Sequence, residues 1–255
     1  MSYDLIDSSG AVALLEQLMG DTPPFKVLRL LGEPKMGKSH LLTKVVPTLA
    51  RARSARHAIV GLRGQTMTVD NVLSSACNGW SSTPHEEWPR YRAAQAAWVA
   101  PSQINVSHNV FIRSALDISS GHVNDPAVWD RYLTQQFGDD LATMGDRLTL
   151  LLCDDVGMAQ ATMQAWLMDV LVARLALMPH VRIVLAGATV PDANSAYNAM
   201  CREYRLPPVE DIKEYATYCR QVDAPLTDEQ IQVLVAVFDH KPGLFAEALW
   251  GKLMP

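Results

Sequence analysis

Apolar runs and amphipathic segments alternate along most of the chain. Apolar runs at 27–31, 57–62, 148–153 and 181–187 are typical of strands buried on both faces of a sheet. Between them lie segments with apolar residues three and four positions apart, the spacing of one face of a helix. Strands that alternate with helices predict an α/β fold, with a parallel sheet flanked by helices.

The predicted helices of this α/β part share that spacing. They cover 10–19, 40–46, 68–77, 86–98, a segment that begins at Asp125-Pro126, 139–144 and 161–177. Pro47 is expected near the end of the helix that begins at His40. The alternating stretch 104–112 predicts a hairpin or an edge strand, inside an insertion at about 64–124.

A helical part follows the last predicted strand. The pattern changes after Pro191, and Pro207-Pro208 marks a break. Helices are predicted at 209–220, 227–238 and 243–252. We therefore divide the chain into an N-terminal helical segment (1–24), an α/β domain (25–206) and a small helical domain (207–255).

Composition narrows the class of protein. The 255 residues are 49% hydrophobic, enough for an α/β core with a small appended domain, and the net charge of −5 does not favour a broad nucleic-acid surface. A local basic patch remains compatible with that charge. The four cysteines are far apart, as expected of reduced thiols. With no apolar run of membrane-spanning length and no signal-peptide pattern, we expect a cytoplasmic protein without membrane contact.

The loop after the first predicted strand fits the pattern G-x-x-x-x-G-K-[ST] of a phosphate-binding loop, or P-loop. Its residues are Gly32, Glu33, Pro34, Lys35, Met36, Gly37, Lys38 and Ser39, and His40 follows in the helix. Strand, loop and helix in this order aim backbone N–H groups at a phosphate, so all nine residues are candidate nucleotide contacts. Lys38 is expected to bind the β- and γ-phosphates as a catalytic residue, and Ser39 to bind Mg²⁺. The alternative is a degenerate loop that binds nucleotide weakly or not at all.

Two acids end the third apolar run. A P-loop site needs a carboxylate at the end of an adjacent strand to hold Mg²⁺, and we assign this role to Asp154. Asp155 is the candidate catalytic residue that orients or deprotonates the attacking water. The alternative is that one acid caps the helix that begins near Ala159. At the end of the fourth run, Thr189 is a candidate γ-phosphate sensor or a turn residue.

With these motifs in order, the chain resembles the STAND class, the signal-transduction ATPases related to the AAA+ group. The similarity covers about 24–253 and includes Ala165-Trp166-Leu167, Val184-Leu185-Ala186-Gly187 and the segment 239–244. STAND proteins carry a G-x-P turn in that last segment, which implies that Pro242 lies beside the adenine. His240 replaces the glycine of that turn, Val156-Gly157 replaces a later acid, and Ala188 replaces an arginine. These departures argue against fast hydrolysis and not against nucleotide binding.

The resemblance implies a function. Such proteins are ATP/ADP switches in which the nucleotide holds the ATPase core against the helical domain, and we expect Mg²⁺-dependent, weak ATPase activity. The expected partners are a second copy of the chain or a separate effector or sensor protein, in a prokaryotic defence setting. Two alternatives stay open: an AAA+-like DNA-associated ATPase of a mobile element, and an inactive ATP-binding scaffold.

Overall fold

The part of the chain that the structure describes forms a sheet of five parallel strands. The computed structural model describes residues 9–64, 67–81, 88–97 and 125–249. The strands are β1 (Val27–Leu31), β2 (Arg56–Gly61), β3 (Thr149–Asp154), β4 (Val181–Gly187) and β5 (Cys201–Arg205). Their order across the sheet is β2-β3-β4-β1-β5, and every neighbouring pair is parallel. The α/β fold is confirmed, and each predicted apolar run forms one of these strands.

Strand β5 was missed because it does not have the apolar pattern of the other four. Among the described strands it pairs with β1 alone and lies at the lateral edge of the sheet, where Arg202, Glu203 and Arg205 are exposed. An edge strand tolerates charged side chains, since solvent reaches them. Glu203 forms an ion pair with Arg29 of β1, with 2.9 Å between the carboxylate and the guanidinium. The polar Arg29 inside an apolar run thus has a structural partner.

The helices of the α/β part flank this sheet. They are α1 (Ser9–Leu18), α2 (Lys38–His40, Leu41–Val45 and Val46–Ala52 in succession), α3 (Val69–Trp80), α4 (Pro89–Ala97), α5 (Pro126–Thr143) and α6 (Ala161–Trp166, Leu167–Val172 and Ala173–Leu175 in succession). None of the helices in the described ranges is long and apolar enough to cross a bilayer. All four cysteines are unpaired, as predicted.

Several helix boundaries differ from the prediction, and two of these differences concern the course of α2 and α5. Pro47 lies inside α2, because the π-helical turn Leu41–Val45 is followed by a new α-helical segment whose first turn holds the proline. Val46 N–H still donates to Leu41 O, and Pro47, which has no N–H group, follows directly after this wider π-helical turn. The separate helix predicted at 139–144 is the end of α5, in which Phe137 and Leu141 continue one buried face.

Both faces of the sheet are covered. Alternate residues of β1, β3 and β4 point to opposite sides, where they join two hydrophobic clusters. One cluster contains α1 and α2, and the other contains α3 to α6. In the second cluster Trp88 stacks on Phe137 with 4.8 Å between the ring centroids. Residues 69–80 and 88–97 of the predicted insertion thus contribute to the main core, whereas the predicted hairpin at 104–112 lies outside the described residues.

The C-terminal helices have a hydrophobic core of their own. They are α7 (Ile212–Gln221), α8 (Asp228–Val237) and α9 (Pro242–Ala248). Tyr215, Ile231 and Phe245 are buried together between them. Asp211 and Thr227 cap the first two helices through their side-chain oxygens. This separate core agrees with the predicted helical domain, whose first residue stays a prediction.

Candidate nucleotide-binding site

The P-loop begins where β1 ends, and its glycines allow a tight turn. Gly32 N–H donates to Gly187 O at the end of β4, over 3.3 Å. Gly37 precedes the first turn of α2 with φ of 89°, a left-handed conformation that glycine adopts without strain. Lys35 also has a positive φ, 70°. The loop therefore winds closely around the start of α2, as the sequence pattern predicts.

Lys38 lies folded into this loop. The residue is only 7% exposed, and its Nζ donates to Gly32 O (2.7 Å) and to Glu33 O (2.6 Å). Burial lowers the pKa of the Lys38 ammonium, and the nearby carboxylates of Asp154 and Asp155 oppose this shift. An ammonium group has three N–H donors, so two carbonyl bonds leave one donor for a ligand.

The strand order corrects one part of the site prediction. The acids do not follow a strand adjacent to β1, because β4 lies between β1 and β3. Parallel strands end at the same edge of a sheet, and the pairs Leu31–Gly187 and Cys153–Leu185 keep the three strand ends in line. The P-loop and the two acids therefore both lie at the carboxyl edge of the sheet, which the carboxyl ends of the strands form, with the end of β4 between them. Sequence order alone does not contain this arrangement.

Asp154 and Asp155 form a sharp turn at the end of β3. Asp154 Oδ1 accepts a hydrogen bond from Asp155 N–H at 3.0 Å, and Asp155 is left-handed with φ of 58°. Neither acid caps α6, whose N-cap residue is Gln160 without a side-chain cap bond. The helix-cap alternative is therefore wrong, and both carboxylates lie at the edge that holds the P-loop.

Arg63 is a further candidate site residue, which no motif in the sequence indicates. It follows the end of β2, and Leu62 N–H donates to Asp154 O at 2.9 Å, which places the next residue beside the acids. Arg63 Nε lies 2.6 Å from Asp155 Oδ2. The sequence does show that Arg63 directly follows a predicted strand, and this would place it at the carboxyl edge of a parallel sheet.

Gly157, which stands where STAND proteins carry a later acid, has no room for a side chain. An ideal Cβ on Gly157 would lie 2.6 Å from Thr189 O, and the Thr189 hydroxyl would be in its way as well. The loop after β4 therefore occupies the space that a side chain at 157 would need. This packing brings Thr189 against the turn that follows the two acids, and its role as a γ-phosphate sensor stays a prediction.

The donor set fits a magnesium ion that is shared with a nucleotide. Ser39 is exposed in the first turn of α2, and Asp154 ends β3 at the same edge. Among the described residues, no three His, Cys, Asp or Glu side chains form a group that could hold a metal. Mg²⁺ commonly takes one or two protein ligands and completes its shell with phosphate oxygens and water. One hydroxyl and one carboxylate match that pattern, and they do not make a cage built by the protein alone.

A cleft of about 580 Å³ opens beside the P-loop. This volume is in the usual range for a small-molecule site. The lining residues come from three segments: Gly32, Glu33 and Met36 of the P-loop, Arg205, Leu206, Pro208 and Glu210 after β5, and Asp239, His240 and Lys241 between α8 and α9. Pro242, the predicted adenine neighbour, is buried in the first turn of α9, so that the three residues before it form the cleft wall.

The helical domain is attached directly to the P-loop. Gly243 N–H donates to Lys35 O at 2.8 Å, Lys241 pairs with Glu33 at 2.9 Å, and Lys35 pairs with Glu247. An ideal Cβ on Gly243 would lie 2.5 Å from Lys35 O, so only glycine allows this approach. Glu33 and Lys35, two positions that the P-loop pattern leaves unspecified, thus attach the helical domain to the loop.

Comparison with solved structures defines the fold class. No protein-family model matches the sequence, and no curated protein matches it. A Walker-type ATPase of Pyrococcus abyssi is similar over 98% of this chain and 72% of its own, with 15% identity and a TM-score of 0.53. Cdc6p from Pyrobaculum aerophilum is similar over 97% of this chain and 61% of its own, with 12% identity and a TM-score of 0.57. At these identities the likeness shows the fold, which is that of the P-loop ATPases.

Proposed function

We propose that this protein is an ATP-binding regulatory switch with weak, Mg²⁺-dependent ATPase activity, which controls assembly with itself or with an effector. The observation that carries this proposal is the attachment of α9 to the P-loop through Lys35 and Glu33. A nucleotide that reorganises the loop acts on these contacts directly. The helical domain is therefore placed to respond to the nucleotide without an intervening element.

Binding would use the groups that surround the P-loop. The phosphates would contact loop N–H groups and Lys38, whose remaining donor is free for an oxygen. The base would occupy the cleft, because the cleft begins at Gly32 and Met36 of the same loop. Ser39 and Asp154 would hold a magnesium ion, which when bound neutralises charge on the β- and γ-phosphates.

Hydrolysis would use Asp155. Water attacks the γ-phosphorus, the bond to the β,γ-bridging oxygen breaks, ADP leaves with that oxygen, and the proton of the water passes to the Asp155 carboxylate. The ion pair with Arg63 occupies this carboxylate in the structure. Slow turnover is the expected result, since a base must reach the water to accept its proton.

The narrower class rests on the resemblance stated above. A STAND-type switch in prokaryotic defence agrees with the order of the motifs and with a helical domain that contacts the nucleotide loop. The setting inside the cell and the effector belong to the same proposal.

Single-turnover hydrolysis of radiolabelled ATP, with Mg²⁺ and with EDTA, tests the activity, and light scattering after chromatography with ATP or ADP tests assembly. We expect slow, Mg²⁺-dependent release of phosphate. The mass of the protein assembly should differ between ATP and ADP. ATP binding with neither hydrolysis nor a change in the mass of the protein assembly would favour the inactive scaffold. Salt-sensitive binding to duplex DNA that requires ATP would favour the DNA-associated ATPase instead.

A further inference from the structure

His240 stands in the turn between α8 and α9 with an unusual backbone. Its φ is 55°, in the left-handed region that glycine adopts most easily. Histidine is one of the residues that tolerate this region better than most. A side chain at this position lines the cleft beside the P-loop, where a glycine would offer no functional group.

Two hydrogen bonds fix the orientation of this residue. Val209 N–H donates to His240 O at 3.3 Å, and His240 Nδ1 lies 3.1 Å from Val209 O. A carbonyl oxygen only accepts, so Nδ1 carries the proton and donates. In the neutral ring Nε2 then has a free lone pair and acts as an acceptor. Within the described part of the chain, no hydrogen bond reaches Nε2.

The ring thus presents an acceptor at the cleft wall. With phosphates at the P-loop, a base in the cleft lies between Gly32 and Met36 on one side and the turn at His240 on the other. Adenine carries an amino group at C6, which donates, whereas guanine carries an oxygen there, which accepts. An acceptor on the protein binds the first group and repels the second.

We propose that His240 determines base specificity: its Nε2 accepts a hydrogen bond from the 6-amino group of adenine and disfavours guanine. This inference rests on the proposed function, because it needs the base of a nucleotide in the cleft. It assigns the choice of ATP over GTP to a residue of this chain.

The variant His240→Asn separates this role from a structural one. Asparagine tolerates a left-handed backbone, and its amide can still donate to Val209 O, but its side chain is too short to place an acceptor where Nε2 lies. Calorimetric titration with ATP and with GTP, both with Mg²⁺, should show ATP affinity reduced by about fivefold, the worth of one hydrogen bond. GTP affinity should rise. A structural defect would weaken both ligands together.

A second measurement needs no variant. Purine riboside triphosphate lacks the 6-amino group, so the unmodified protein should bind it about fivefold more weakly than ATP. The variant should bind these two nucleotides equally. Equal affinity of the unmodified protein for both, or an unchanged ratio of ATP to GTP affinity in the variant, overturns the inference and leaves the proposed function in place. If the unmodified protein binds no ATP, the proposed function fails, and the inference fails with it.

Discussion

Arg63 and Asp155 form an ion pair at the carboxyl edge of the sheet, where the P-loop also lies, with 2.6 Å between Nε and Oδ2. A second guanidinium nitrogen, Nη2, lies 3.5 Å from Oδ1, so both carboxylate oxygens face the arginine. Strand β2, which leads into Arg63, flanks β3 on the side away from β1. The arginine therefore holds the candidate base, and its positive charge also contributes to the lowered pKa of Lys38, so it lies within electrostatic reach of the P-loop.

Arg63→Met should raise the single-turnover rate of ATP hydrolysis by about tenfold, since it frees a base whose contribution is typically larger than that. ATP affinity should stay within about twofold, because the exposed Arg63 side chain is paired with Asp155, and solvent screens its charge from Lys38. Rapid mixing with radiolabelled ATP measures the rate. Arg53→Met, at an exposed position outside the site, is the matched control. A slower Arg63→Met variant would mean that the arginine assists the reaction.

Asp154→Asn should shift the Mg²⁺ dependence of hydrolysis to higher concentration, by about tenfold or more. An amide is neutral and binds a hard divalent cation less strongly than a carboxylate. Titration of the rate with Mg²⁺ gives the midpoint. Asp223→Asn is the control, since Asp223 is exposed in the turn after α7 and its left-handed backbone suits asparagine. Coincident titration curves for Asp154→Asn and the unmodified protein would make Asp154 a structural residue.

Gly243→Ala should weaken the contact between α9 and the P-loop. The added methyl group would meet Lys35 O at 2.5 Å, so the helix or the loop must move and the Gly243–Lys35 hydrogen bond lengthens. We expect the free energy of unfolding in urea to fall by about 1–3 kcal/mol. Gly61→Ala is the control, because nothing lies within 4 Å of a Cβ there. Equal stability of the two variants would show that the approach of α9 to the loop adds nothing.

The local sequence pattern was sufficient to predict β1 to β4 and the P-loop. A buried strand requires consecutive apolar residues, and a phosphate loop requires glycines at fixed spacing, so β3, β4 and the turn at Gly37 are visible in the sequence. The edge strand β5 has no such requirement on its exposed side chains and was missed.

The remaining parts of the site depend on contacts between distant segments. Arg63 meets Asp155, and Lys35 meets Glu247, across long stretches of chain. The place of β4 between β1 and β3 is likewise a property of the assembled sheet. No periodicity or spacing encodes these pairings, because each member alone has the sequence context of an ordinary surface charge or apolar run.

The proposed switch requires that the P-loop binds ATP through Lys38. The most direct test is a calorimetric binding isotherm for ATP with Lys38→Ala beside Lys35→Ala, which removes an exposed lysine from the same loop. Since Lys38 also bonds two loop carbonyls, a thermal melt must accompany each isotherm. We expect Lys38→Ala to remain folded and to bind ATP about tenfold to a hundredfold more weakly, as the loss of a hydrogen bond to a charged group implies, while Lys35→Ala loses much less affinity. Unchanged ATP affinity in Lys38→Ala would contradict it.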